Sequence, residues 1–281
     1  MHNAFSELFA SLRVGVKRRP GLVGLNLTML TVGLVFVFLT LHENGRRQAY
    51  DQWIPDSEKI FRLEGLARNM FGAEEYYLRS LPGPVAGLVK RSLPEIVRET
   101  SRLFVRSALF RLEGSQKDVF EVRLGYADDV FGRLFELPTL YGDLETALAS
   151  PNAITLTAPL ARRLFGRENV IGKVVTIVEG DEPASKTISA VLEALPEETQ
   201  FKFEALVSIR GNLPADANPF PERWLSFNMS TYVKTRRPIS AGELTNRLSD
   251  GVVSRFPSVS AGEKIYVLKD RLDIRATPIV G

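Results

Sequence analysis

Near the start of the chain, Phe5, Leu8, Phe9, Leu12 and Val16 fall at i, i+3, i+4, i+7 and i+11 and so share one face of a helix. Pro20 has no N–H and biases Arg19 away from the helical region, so this amphipathic arm ends there and a second helix starts with proline in its first turn. From Gly21 to Leu41 no residue is charged. At about 1.5 Å of rise per residue that run covers roughly 30 Å, the hydrocarbon thickness of a bilayer. The pattern predicts one membrane crossing over 20–41. A cleaved leader fits less well: its apolar region is shorter, its basic region does not lie this far in, and Thr40-Leu41-His42 offers no small-x-small cleavage site.

Inside the run, Asn26 is polar, and Gly24, Thr28 and Thr31 form a small-residue stripe at helical spacing. Such residues let helices approach closely and hydrogen-bond across the contact, and an amide facing hydrocarbon alone is costly, which favours a partner helix. The alternative is ordinary tolerance, with each threonine bonded to its own backbone.

Beyond the run the periodicity shortens. Gln48–Ile54 extends as a helical exit, and Lys59–Leu66 alternates as a strand. Pro84–Leu93 predicts a helix with Val85, Leu88, Val89 and Ser92 on one face, stopped by Pro94. Ser101–Glu113 and Asp118–Tyr126 predict a hairpin around Gly114, and Asp128 or Asp129 is placed to cap a short helix ending at Phe135. Pro151–Thr157 predicts a strand, Ala158–Phe165 a helix closed by Gly166, and Lys173–Val178, Lys186–Leu195 and Phe201–Ile209 three further strands. After a proline- and asparagine-rich loop at Gly211–Pro221, Ser230–Lys234 is a strand. Ser240 with Glu243 forms a capping box, and Ile265–Leu268 is the expected last strand of a βαβ unit. The fold class is therefore α+β. The expected organisation is a cytoplasmic arm at 1–19, a span at 20–41, an outer β/α piece at 42–150 and 228–281, and an inserted β-rich piece at 151–227.

Charge settles the orientation of the span. Arg13, Lys17, Arg18 and Arg19 precede it, whereas His42, Glu43 and Asn44 follow, so the positive-inside rule keeps the N-terminus cytoplasmic and the rest extracytoplasmic. Removing those four cations and Glu7 from the totals of 36 basic and 33 acidic residues leaves 32 of each. The exported part is neutral, which argues against nucleic-acid binding; the basic cluster suits anionic headgroups of the lipid bilayer instead. The arm either lies in the inner interface, available to a cytoplasmic partner, or only anchors the chain.

The same inventory narrows the chemistry. There is no cysteine, hence no disulfide or thiolate zinc site, and the two histidines, His2 and His42, lie outside the folded body. No catalytic residue, cofactor site or metal site is expected, and the chain is not expected to be an enzyme. Gly166 and Gly172-Lys173 mimic a phosphate loop, yet the spacing is wrong and Val174 stands where a magnesium-binding hydroxyl is needed, so a helix stop and a tight turn are expected. The acid pairs Glu74-Glu75, Asp128-Asp129 and Glu197-Glu198 are expected on solvated surface. Phe61, Phe104, Phe110, Phe120, Phe131 and Phe135 are expected in the core.

Four strings then resemble one family in order and position. They are Tyr50-Asp51-Gln52-Trp53 with Ser57 to Leu63; Ile154 to Thr157 through Ala161 to Gly166 and on to Val170 to Lys173; Leu195-Pro196-Glu197 through Phe201 to Glu204; and Trp224 through Ser230 to Val233. Together they resemble MacB-like and FtsX-like permeases, the membrane subunits of type VII ABC transporters, over essentially the whole chain. The resemblance implies a transmembrane helix followed by an extracytoplasmic MacB-like core domain, in which an inserted β-rich subdomain interrupts a porter-like one. It also implies an ABC ATPase subunit as partner, a homodimer or permease partner, a bacterial inner-membrane location, and work as a coupling component in export or mechanotransmission. Family members carry three further membrane helices, and between His42 and Gly281 no charge-free apolar run approaches 18 residues. A membrane-anchored binding or sensor domain is the competing reading.

Overall fold

The computed structural model describes residues 20–281 apart from 71, 113–118, 179–182, 213–222, 263 and 281. The arm residues Phe5, Leu8, Phe9 and Leu12, and the orientation-setting Arg13, Lys17, Arg18 and Arg19, therefore lie outside the described residues. The chain divides into two units, 1–49 and Tyr50–Gly281.

The described part of the first unit is a single helix, α1, Pro20–Ala49, of 30 residues. Its described apolar side chains, from Leu25 to Leu39, are exposed, with Phe36 at 71% and Phe38 at 69%. Among the described residues no helix is long and apolar enough to cross a membrane. The described side chains of α1 run unbroken from Gly24 to Thr40, and the charge-free run Gly21–Leu41 continues past them on both sides.

The second unit begins with β1, Ile60–Met70, and β2, Ala73–Leu78, followed by α2, Pro84–Ser92. A long hairpin comes next, β3, Val97–Leu112, and β4, Val119–Ala127; then α3, Phe131–Phe135, β5, Thr139–Gly142, and α4, Leu144–Ala149. β6, Ala153–Thr157, runs into α5, Ala158–Phe165, and is followed by β7, Val174–Val178, β8, Ala184–Leu192, and β9, Ala205–Ser208. The chain closes with β10, Ser230–Thr235, α6, Ala241–Gly251, the ribbon of β11, Ser258–Ala261, and β12, Lys264–Val267, and finally β13, Leu272–Pro278.

Four strands lie in the order β13-β1-β10-β3, each antiparallel to its neighbour. β1 and β3 are thus parallel with β10 between them, joined through α2, and β10 and β13 are parallel with β1 between them, joined through α6. Two interlocked split βαβ units of this kind make a ferredoxin-like lobe. Alternation in β1 turns Phe61, Leu63 and Ala67 to one face, where Val85 and Val89 of α2 and Leu244 and Leu248 of α6 cover them. Ser240 caps α6 as expected, its hydroxyl accepting the Glu243 N–H at 3.1 Å.

Everything between β3 and β10 builds a second lobe. β3 pairs with β4, β4 with β9, β9 with β6, β6 with β8, β8 with β7, and β7 with the end of β3. That circuit is a closed six-stranded barrel, which leaves no unpaired edge among those strands. Phe110, Val122, Leu124, Ile154, Leu156, Val175, Ile188 and Val207 fill its core together with Leu160, Ala161 and Leu164 of α5. β3 belongs to both lobes: residues 97–103 pair with β10 and residues 103–112 with β4 and β7.

Several sequence expectations shift. The strand that completes the second βαβ unit is β13, not Ile265–Leu268, because Leu272, Ile274 and Ala276 alternate inward behind the charged Asp273 and Arg275. The strand expected at Phe201–Ile209 is reduced to β9, since the backbone before it is engaged elsewhere. The helical exit stops at Ala49, and the turns beyond it place Asp51 and Asp56 at φ +58° and +56°. Neither Asp128 nor Asp129 caps α3 through its helix-closing N–H groups; Val130 holds the cap position. Asp128 is no solvated acid either, being bound to Arg102. The six phenylalanines are distributed over three cores: Phe61 in the first lobe, Phe110 with Phe104 and Phe120 at the barrel, Phe131 and Phe135 in a third cluster.

Candidate functional site

Four residues directly after α1, Tyr50 to Trp53, carry a dense polar network. Asp51 is fully buried in the left-handed region, a conformation that aspartate accepts more readily than most side chains. Its Oδ1 accepts the Thr199 hydroxyl at 2.5 Å and its Oδ2 the Gln200 amide at 2.8 Å. The Gln200 backbone N–H lies 3.3 Å from both oxygens, and the Asp51 N–H donates to the Glu198 carbonyl at 3.0 Å. Tyr50 adds its hydroxyl to the Thr199 carbonyl at 2.8 Å. The Asp51 carboxylate thereby fixes Thr199 and Gln200, and its backbone N–H fixes Glu198. This segment forms no strand because its groups are spent here rather than in a ladder.

The clasp continues into the sheet. Gln200 accepts the Tyr232 hydroxyl at 3.1 Å, which ties Asp51 through one side chain to β10. Burial pushes the Tyr232 phenol far up, so it stays a donor, and burial followed by the neighbouring Asp51 carboxylate raises Tyr50 as well. Below lies an aromatic cluster: ring centres are 4.6 Å apart for Phe135 and Phe201, 4.9 Å for Phe131 and Phe135, and 5.0 Å for Phe135 and Tyr232, all edge-to-face. Trp53 meets Phe201 at 6.4 Å in the same geometry. Each such pair contributes about 0.5–1.5 kcal/mol beyond its area burial.

Next to the clasp, the inner sheet carries buried charge. Lys234 donates to Glu136 at 3.0 Å and stands 3.5 Å from Asp56. Glu64 accepts from Arg62 at 2.5 Å, Arg275 at 2.7 Å and Thr277 at 3.1 Å. Burial alone pushes the Glu64 carboxyl up, but the hydrogen bonds from Arg275, Arg62 and Thr277 and the Arg62 charge hold it below the ordinary glutamate value. These are positioning networks; among the described residues no group of three or more His, Cys, Asp or Glu is arranged to hold a metal ion.

The residues singled out in the span sit together on α1, and two of their polar groups are already engaged. The Thr28 hydroxyl donates to the Gly24 carbonyl at 2.9 Å and the Thr31 hydroxyl to the Leu27 carbonyl at 2.8 Å. What remains for a neighbouring helix is the small size of Gly24, Thr28 and Thr31 and the exposed amide of Asn26. Gly166 ends α5 at φ +71° and Gly172 turns into β7 at φ +81°, the helix stop and tight turn expected in place of a phosphate loop. Thr199 and Gln200 had no signal of their own, because Glu-Glu-Thr-Gln has the composition of any solvated loop. Only the aromatic flanks of Asp51 marked one side of the clasp.

Three of the four strings behind the family resemblance meet here: Tyr50–Trp53, the segment 195–204, and β10 with Tyr232. No family model and no curated protein sequence matches the chain. Solved structures do. A domain described as that of a permease protein from Porphyromonas gingivalis aligns with a TM-score of 0.64 at 20% identity, over 80% of this chain and 91% of that one. The periplasmic region of MacB from Actinobacillus actinomycetemcomitans aligns with a TM-score of 0.53 at 13% identity, over 80% and 90% of the two chains. An interrupted ferredoxin-like lobe with a barrel inserted after its second strand is thus a fold like that of the periplasmic region of MacB.

Proposed function

We propose that the chain is a membrane component of an ABC transporter, crossing the bilayer once at Gly21–Leu41 with its N-terminus in the cytoplasm and its body outside. The observation that carries this reading is the MacB-like fold of the body immediately behind a 21-residue charge-free run flanked by Arg13, Lys17, Arg18 and Arg19. It works without catalytic residues of its own. A cytoplasmic ATPase partner supplies the energy, the amphipathic arm with Phe5, Leu8, Phe9 and Leu12 meets it, and a second copy or another permease completes the bilayer path through Gly24, Asn26, Thr28 and Thr31. The clasp is the point at which movement of the helix reaches the body: Asp51 follows α1 by two residues and grips both 198–200 and, through Gln200, β10.

Topology is tested directly, because the chain has no cysteine of its own. Ser185→Cys lies on an exposed position and is expected to react with an impermeant maleimide on intact cells, whereas Ser11→Cys reacts only after permeabilisation. Protection of Ser185→Cys in intact cells overturns the orientation. Coupling is tested by purifying the full chain from mild detergent and identifying the ATPase that accompanies it. Asp51→Ala is expected to keep that association and to lose transport-coupled ATP hydrolysis; full coupling in a correctly folded Asp51→Ala protein removes the clasp from the mechanism.

A further inference from the structure

A cleft of about 470 Å³ opens between α2 and the turn that joins β4 to α3, lined by Lys90, Arg91, Arg102, Arg210, Asp128 and Trp224 among others. Its cations are unequally employed. Arg102 is committed at all three nitrogens: Nε and Nη2 hold the two Asp128 oxygens at 3.0 and 2.7 Å, and Nη1 reaches the Gly83 carbonyl at 3.3 Å. Lys90 donates to Glu99 at 2.6 Å. Arg210 stands 3.6 Å from Asp129 with 77% of its side chain exposed, and among the described residues Arg91 forms no ion pair. Asp128 and Glu99 are thus spent on Arg102 and Lys90, Asp129 stands against Arg210, and no acidic residue occupies the first turn of α2. Arg91, with no ion pair among the described residues, and the largely exposed Arg210, held only by its long contact to Asp129, therefore share the cleft wall with an indole, since Trp224 leans on Phe256 at 5.2 Å and lines the cleft itself.

Guanidinium forks match the planar or tetrahedral oxygens of carboxylates and phosphates, and an indole offers apolar surface beside them. We infer that this cleft binds a small anionic amphiphile, with its phosphate or carboxylate head between Arg91 and Arg210 and its apolar part against Trp224. The site stands whether or not an ATPase drives the chain.

The protein carries its own reporter, as Trp53 and Trp224 are its only tryptophans. With Trp53→Phe in the full chain in neutral detergent, titration of hexyl phosphate is expected to change Trp224 emission saturably, with a Kd of about 1 mM or tighter. Inorganic phosphate is expected to compete weakly, and hexanol not at all. Arg91→Gln with Arg210→Gln is expected to weaken hexyl phosphate at least about tenfold, equivalent to about 1.4 kcal/mol, with unchanged thermal unfolding. A flat titration overturns the site. So does an equal response to hexanol, which removes the head-group recognition, or inorganic phosphate binding as tightly as hexyl phosphate, which removes the amphiphile. Undiminished binding by the double variant places the ligand elsewhere.

Discussion

Glu64 shows how one side chain holds an inner sheet position that an apolar residue would otherwise take. It accepts hydrogen bonds from Arg62 on its own strand and from Arg275 and Thr277 on β13, so its charge fastens β1 to β13. Its folded pKa lies below the ordinary value, so the stabilisation is present above the unfolded value of about 4.3 and is lost as pH falls through the lower, folded one. Wild type is therefore expected to be more stable than Glu64→Gln at neutral pH, with the gap closing below about pH 4. Urea midpoints of both proteins at a series of pH values measure this, and a gap of constant size down to pH 3 contradicts it. At this scale the sequence was only half legible. Arg62 lay within a recognised string, but Glu64 acquires its role from Arg275, more than 200 positions away. Asp51 is the same case: its motif was visible and its partners Thr199 and Gln200 were not.

Among the elements, those specified by local pattern were legible. α5 occupies Ala158–Phe165 as its apolar spacing and terminal Gly166 require, and Ser240 caps α6, although the Glu243 carboxylate of the expected capping box pairs with Arg237 instead. The elements that escaped are set by neighbours. β5 has only four residues and exists because Thr139 to Gly142 lies along β8, while β13 hides its alternation among charges. Gly142 makes that dependence measurable. Its φ is +75°, and a Cβ there would stand 2.0 Å from the Ser189 carbonyl oxygen of β8. Gly142→Ala is expected to destabilise by at least roughly 1–3 kcal/mol from the unfavourable φ alone, and to detach β5 from β8. Chemical denaturation gives the first quantity and amide exchange at Tyr141 and Ala190 the second. Exchange rates that match wild type mean that β8 does not hold β5 through this close approach.

At the scale of the whole molecule, the order of strings along the chain pointed to an interrupted lobe and an insertion. The closure of that insertion into a barrel was not legible, because it rests on β7 pairing with both β3 and β8, and such long-range pairings leave no periodicity in sequence. The two lobes are expected to unfold together. Val122→Ala in the barrel and Leu244→Ala in the ferredoxin-like lobe each remove a fully buried side chain. Each is expected to lower one common transition followed through Trp53, which sits against the third core, with about 2–5 kcal/mol lost for the leucine. Separate transitions, each moved by only one of the substitutions, mean that the lobes are independent. The reason to expect one transition is β3 itself. Sixteen consecutive residues serve first as a rung of an open sheet and then as a stave of a closed tube, with no linker between. At the β3 crossing the two lobes have no hinge at which to slide, so a load passing there is carried by covalent backbone in series. A protease offered the native protein has no interdomain tether to cut there.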